Sequence, residues 1–181
     1  MWTYLPYGPF ADDEEYRRWL EQASRSDDPL FFAIIETQTG IASGVASYLR
    51  IDPANGSIEV GHIALSPRLQ RSIAATEAMF LMMRWAFSAG YRRYEWRCNG
   101  LNLPSRRAAA RFGFSYEGLN RQSGIVKGRN RDTVWYAAVD AEWPALEAAF
   151  TRWLDPSNFD ATGKQRVALA TLTDGILVAR G

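Results

Sequence analysis

The first chemistry in this chain lies in a loop. Ser66 to Ser72 follows an apolar run, carries Pro67, Arg68 and Arg71, and leads into a helix that opens near Ile73. A loop entering a helix presents unpaired backbone N–H groups, and the helix dipole adds partial positive charge there. Two arginines make it a candidate anion site; the alternative is an ordinary β–α connection with solvated side chains. Just upstream, Ile58 to Leu65 is rich in β-branched and apolar residues and reads as a strand. Strict alternation puts Glu59 on one face with Gly61, Ile63 and Leu65. On so apolar a face a carboxyl pKa rises, unless Glu59 is simply exposed; a bulge would change the parity. His62 falls with Ile58 and Val60 and reads as a packing histidine rather than a base, and Cys98 reads as core. One His and one Cys leave no plausible zinc set.

Other side chains keep two readings. Arg106, Arg107 and Arg111 are a solvated face or contacts to an anionic ligand. Arg121, Lys127, Arg129 and Arg131 gather in a late basic stretch, for solubility or for attracting an acidic partner. The opening MWTYLPYGPF holds four aromatics with Pro and Gly, so neither a regular helix nor a free tail suits it. It is a packed lid, or the wall of a substrate pocket presenting Trp2 and Tyr4.

The elements that position these groups follow in order. Asp12 or Asp13 caps a helix to about Ala23. Strands are expected at Leu30–Glu36, Gly44–Ile51 and Ile58–Leu65, joined by turns at Thr39-Gly40 and Asp52–Gly56. The long helix runs to about Ala89, with Gly90 as its C-terminal glycine. Arg92–Asn99 alternates cleanly: Tyr94, Trp96 and Cys98 on one face, Arg93, Glu95 and Arg97 on the other. A strand–helix–strand unit of this length implies one parallel pair. Asn102 caps a helix ending at Phe112–Gly113, strands follow at Phe114–Leu119 and Thr133–Val139 around a basic loop at Gly124–Arg131, and Glu142–Trp153 is helical. Residues 1–154 are expected to form one domain, and 155–181 an extension packed on it or on a partner subunit.

The chain has 181 residues with 21 Lys+Arg, 20 Asp+Glu and net charge +1, so no global attraction to nucleic acid or an anionic membrane is built in. The length can bury a core without disulfides or metal. No apolar run reaches membrane-spanning length, and one cysteine fits a reducing cytoplasm.

The order of elements, and several short motifs at matching positions, resemble the GNAT acyltransferases, in particular the RimJ/RimL-like, ribosomal-protein-acetyltransferase branch. The branch's phosphate motif, roughly QGKGYATEA, is matched by Gln70-Arg71-Ser72-Ile73-Ala74-Ala75-Thr76-Glu77-Ala78. Its Glu-x-Gly is matched by Glu59-Val60-Gly61, its Asn-x-x-Ser by Asn102-Leu103-Pro104-Ser105, its Gly-Phe by Gly113-Phe114, and its Glu-Gly-x-x-Arg by Glu117-Gly118-Leu119-Asn120-Arg121. Arg71 and Ile73 stand where the family has glycines, so the loop is expected to keep an ordinary helical conformation there. The family's late-helix tyrosine position holds Ala109.

The resemblance implies an α+β fold, an α/β/α sandwich around a mixed, mostly antiparallel sheet whose central strands splay apart, without the family's first strand. An edge so left open would invite pairing, hence an expected homodimer. It implies acetyl transfer from acetyl-CoA, without metal, to a primary amine of a small molecule or peptide N-terminus. Acetyl-CoA would be held by Ile63, Leu65, Gln70, Arg71, Ser72, Ile73, Ala74, Ala75, Asn102 and Arg106, with Glu59 as base and Ser105 as acid. Trp2, Tyr4 and Arg121 would meet the acceptor. The alternative is a catalytically inactive acyl-CoA-binding or assembly module.

Overall fold

The computed structural model describes residues 2–181. Strands β1 (Leu30–Glu36), β2 (Ile41–Asp52), β3 (Ser57–Leu65), β4 (Arg93–Asn99), β5 (Ser115–Val126) and β6 (Arg129–Val139) form one open sheet in the order β1–β2–β3–β4–β6–β5. Only β3 and β4 run parallel, because helix α2 (Ile73–Ser88) crosses between them; the other pairs are antiparallel. Nothing pairs with β1 on its outer side among the described residues.

Helix α2 forms because its run of Ala, Met, Leu, Phe and Trp contains no breaker between the Ser72 cap and Gly90, which takes φ +91. Ala75, Met79, Phe80, Met83 and Ala86 recur at helical spacing and are buried. They meet Tyr94, Trp96 and Cys98 of β4 in one continuous core, with Phe112 after helix α3 (Leu103–Arg111) and Leu146, Phe150 and Trp153 of α4 (Trp143–Leu154). The charged residues of β4 face the other way. That second face is covered in part by α1 (Asp13–Ala23) and the N-terminal aromatic segment, through Trp19 against Phe31 and Tyr7 against His62.

The C-terminal residues lie against the α3–α4 side. Leu169 of α5 (Leu169–Thr173) is fully buried in the core, Thr173 Oγ1 donates to the Arg111 carbonyl, and Tyr116 N donates to the Ala179 carbonyl.

The expected basic loop at 124–131 is instead the tip of a hairpin. β5 and β6 pair out to Val126 and Arg129, leaving Lys127 and Gly128 as the two turn residues, both at positive φ. Two residues with φ > 0 match the twist of the flanking strands. The basic side chains masked a strand that Ile125 and Val126 already announced. No helix among the described residues is long and apolar enough to cross a membrane.

Candidate active site

β3 and β4 are paired only from Ser57–Arg93 to Val60–Trp96. Beyond that point β3 stays with β2 to the Gly44–Leu65 pair, while β4 stays with β6 to the Asn99–Thr133 pair. The two strands therefore part into a V, and a cavity of about 1200 Å³ opens between them. A bulge in β3 helps: Gly61 pairs with Ser47 and Ala64 with Val45, so β3 spends an extra residue at His62, which sits at φ +51. The bulge also overturns the strict-alternation expectation for Ile63 and Leu65. Leu65 comes opposite Gly44, on the face of Ala46 and Tyr48, and Ile63 packs on the core rather than beside Glu59; both still line the cavity.

Glu59 stands where the strands diverge and is 3% exposed, which removes the ordinary-surface reading. Its Oε2 accepts from Arg50 Nη1 at 2.8 Å and has Arg97 Nε 3.0 Å away, an ion pair without hydrogen-bond alignment. Arg50 reaches it from a second bulge, in β2, where Arg50 takes φ +48 and the Asp28 carboxylate accepts from the Arg50 and Ile51 amides at 2.9 and 3.0 Å. Burial pushes the Glu59 pKa up to about 7, against the pull of Arg50 and Arg97. Glu95 is its neighbour across the parallel pair. There burial also acts upward, but hydrogen bonds from Arg93 and Arg97 outweigh it and the net shift is downward. Two adjacent carboxyls thus titrate apart, one fixed as an anion and one poised near neutrality. Arg97 is further held over the Trp135 ring, 3.4 Å from its centroid.

At the far end of β3 the loop is built by its own side chains. Gln70 Nε2 donates to the Leu65 carbonyl at 2.9 Å, and Ser72 Oγ donates to the Leu69 carbonyl and accepts from Ala75 N at 3.0 Å. Arg71 takes φ +61, so the loop adopts the left-handed turn of a glycine despite lacking one, contrary to the helical conformation expected. The amides of Arg71, Ile73 and Ala74 have no acceptor among the described residues. Ala75 N is not free, because the Ser72 cap takes it. Gln70, Arg71, Ala75 and Thr76 line the cavity; the Ile73 side chain is 40% exposed and, like Ser72 and Ala74, does not.

Helix α3 closes the other wall. Asn102 Oδ1 caps it by accepting from Ser105 N at 3.3 Å, which leaves Asn102 Nδ2 unengaged among the described residues. Trp96 Nε1 donates to Ser105 Oγ at 3.0 Å, which fixes the hydroxyl oxygen at the cavity wall and occupies one of its two lone pairs. Arg106 corrects an expectation. Its Nε donates to Tyr136 OH at 3.2 Å and it lines a separate cavity of about 250 Å³. One residue on a helix is a turn of about 100°, and it is Arg107 and Arg111 that face the large cavity.

The N-terminal segment proves to be both lid and wall. Trp2 packs on Tyr7, Phe10 and Tyr16 and does not reach the cavity, correcting its acceptor role, whereas Tyr4 lines it and donates to the Leu101 carbonyl at 3.1 Å. Lys127 Nζ at the hairpin tip donates to the carbonyls of Trp2 and Tyr7 at 2.8 and 2.9 Å. His62 stacks on Tyr7 at 5.5 Å, with Nδ1 3.3 Å from its hydroxyl; burial, then Arg50 and Arg131, push its pKa down, as suits a neutral packing histidine. Arg121 is exposed and off the cavity, while Arg131 lines it: the β5 bulges between Asn120 and Gly124 alter which side chains turn inward.

Arg50, Trp96 and Arg97 were not singled out from sequence as site residues, while Lys127 and Arg131 were named only within the late basic stretch. Arg97 had a signal, since alternation set it on the charged face beside Glu95. Arg50 had none, because its aim depends on a bulge. Among the described residues no cluster of His, Cys, Asp and Glu could hold a metal ion.

Comparison with known proteins agrees with this geometry. Residues 1–115 match the family model described as Acetyltransferase (GNAT) domain. The ribosomal-protein-serine acetyltransferase of Escherichia coli K12 is 29% identical over 96 residues, 53% of this chain and 54% of that protein, so the match spans about half of that relative. The crystal structure of a GCN5-related N-acetyltransferase from Brucella melitensis is 52% identical, with a TM-score of 0.93 over 96% of this chain and 79% of that one. A GNAT-family acetyltransferase structure from Chromobacterium violaceum is 44% identical, with a TM-score of 0.76 over 80% of this chain and 73% of that one.

Proposed function

The chain belongs to the GNAT acetyltransferase family, and from that premise we propose that it moves an acetyl group from acetyl-CoA to a primary amine, of a small molecule or a peptide N-terminus, by direct attack in the V between β3 and β4. The supporting observation is Glu59, buried where the strands part and ionising near neutral pH.

The free amides of Arg71, Ile73 and Ala74 at the start of α2 suit a diphosphate bound at the rim of the cavity, which Arg71 also lines. Asn102 Nδ2 is placed to hold an amide-bearing arm along the cleft. The thioester supplies an activated acyl carbon and a thiolate leaving group. Main-chain N–H groups near Leu65 stabilise the developing oxyanion. Glu59 takes the proton that the attacking amine sheds as the C–N bond forms. Ser105, oriented by Trp96, passes its hydroxyl proton to the sulfur as the C–S bond breaks and takes a replacement proton from solvent water in the open cleft.

The reading extends to the RimJ/RimL-like branch, supported by Glu59 and Ser105, and to a cytoplasmic enzyme, supported by a lone buried thiol at Cys98. We also infer a homodimer, supported by the open β1 edge with Phe32 and Ile35 exposed; light scattering that gives a monomer mass removes that part alone.

Calorimetric titration with acetyl-CoA and thiol release over an amine panel test the whole. Glu59→Gln is expected to cut kcat by about 10²–10⁴-fold, and Ser105→Ala to slow it as well. Full turnover in both variants removes the mechanism.

A further inference from the structure

The charges lining the large cavity are lopsided. One group, Arg71, Arg107 and Arg111, stands on the loop before α2 and on α3; the second stands on the strands, Arg50 and Arg97 flanking Glu59 and Arg131 farther out on β6, beyond Thr133; Glu59 is the one carboxylate among the described lining residues. The first group suits a diphosphate. The second is not explained by it. Arg50 and Arg97 are paired to Glu59, and Arg97 also to Glu95. Arg131 has no carboxylate partner among the described residues; its Nε donates only to Thr133 Oγ1, at 3.1 Å. It lines the cavity from the part of β6 that runs on past the end of β4, where the V is open.

This imbalance bears on what can enter. A simple alkylamine is a cation at neutral pH and would be opposed by the uncompensated guanidinium. When Glu59 takes up a proton it loses its charge, so the positive potential at this end rises during the reaction. An anionic group on the acceptor offsets both effects. The space is also bounded: residues 3–6 and the β5–β6 hairpin line it, and Lys127 clamps one to the other. That favours a small molecule over a chain end that must thread in.

Resting on the transferase reading above, we propose that the acceptor is a small primary amine bearing a carboxylate, an amino-acid-like molecule, whose carboxylate is bound by Arg131. The guanidinium offers the planar fork that a carboxylate accepts in bidentate fashion. The amine then points toward Glu59, and Leu49, Ile125 and Trp135 give the side-chain space an apolar lining.

The test compares free amino acids with their carboxamides, and with short peptides, as acceptors for the full chain, by thiol release. A carboxamide's amine is the weaker base and better deprotonated at neutral pH, so a preference for the acid runs against intrinsic reactivity. The expected result is a kcat/KM about 10- to 100-fold higher for the acid, carried in KM. Arg131→Gln is expected to bring the ratio close to one, and Arg131→Lys to restore part of it. Acetyl-CoA titration of each variant reports that the fold and the other end of the cavity are intact. The proposal is overturned if carboxamides or peptides are preferred, if neither acid nor amide is turned over by protein that binds acetyl-CoA, or if the ratio survives Arg131→Gln. Failure to bind acetyl-CoA at all sinks the transferase reading first, and this proposal with it.

Discussion

Glu59 and Glu95 are direct neighbours on β3 and β4, and the pair shows how burial and partners divide two like groups. Glu95 is shared by Arg93 and Arg97, so it remains an anion and holds Arg97 in place. Glu59 is more deeply buried and less well paired, and its pKa reaches about 7. A base must be ionised to act, so kcat/KM is expected to rise with pH through an apparent pKa near 7 and then level off. Arg50 lowers that pKa; Arg50→Ala is therefore expected to move the rising limb to higher pH, by rate measurements across the pH range. A limb that moves down, or stays put, contradicts the assignment of the limb to Glu59. Arg106 offers a contrast. It faces the small cavity, so Arg106→Ala is expected to leave the calorimetric Kd for acetyl-CoA within about twofold, which is within the small effect of a side chain making no contact.

Between elements, the loop ahead of α2 replaces glycine flexibility with a strained arginine. An L-residue in the left-handed region costs about 1–2 kcal/mol. Arg71→Gly is expected to keep or raise Tm in thermal unfolding while weakening acetyl-CoA binding, because the strain and the guanidinium are removed together. Loss of stability in this variant would mean that the positive φ is not strained. The β5–β6 hairpin does a second job through Lys127, whose ammonium joins two carbonyls of the N-terminal segment. Lys127→Ala is expected to speed amide hydrogen exchange in residues 2–10 and leave the sheet's exchange unchanged.

For the molecule as a whole, one face of the sheet is dry and the other is charged, and the helices follow that division. The C-terminal residues belong to the dry side. Leu169 has no exposed surface and sits in the same core as Phe150 and Trp153. Leu169→Ala is expected to destabilise the protein by about 2–5 kcal/mol in denaturant unfolding. A change under about 0.5 kcal/mol, the scale of surface substitutions, would show that residues 155–181 are not part of the cooperative unit.

Local pattern determined most of the elements. The alternation in β4, the apolar length of α2, the Asn102 cap and Gly90 each depend on residues close in sequence, and each came out within a residue or two. The upward direction of the Glu59 shift agreed with the expectation, but its reason did not: burial raises it, while Ile63 and Leu65 lie on the other face and Arg50, Arg97 and Glu95 stand beside the carboxyl. What tertiary structure alone decided were the aims of single side chains. The bulges at Arg50 and His62 leave no mark in composition, yet they turn Arg50 onto Glu59 and send Ile63 and Leu65 to the other face. The choice of Arg107 and Arg111 over Arg106 rests on the rotation of α3 about its axis, and the gap between β3 and β4 on two strands keeping different partners. These are long-range geometric outcomes, fixed by packing and register, which a chain read residue by residue does not contain in local form.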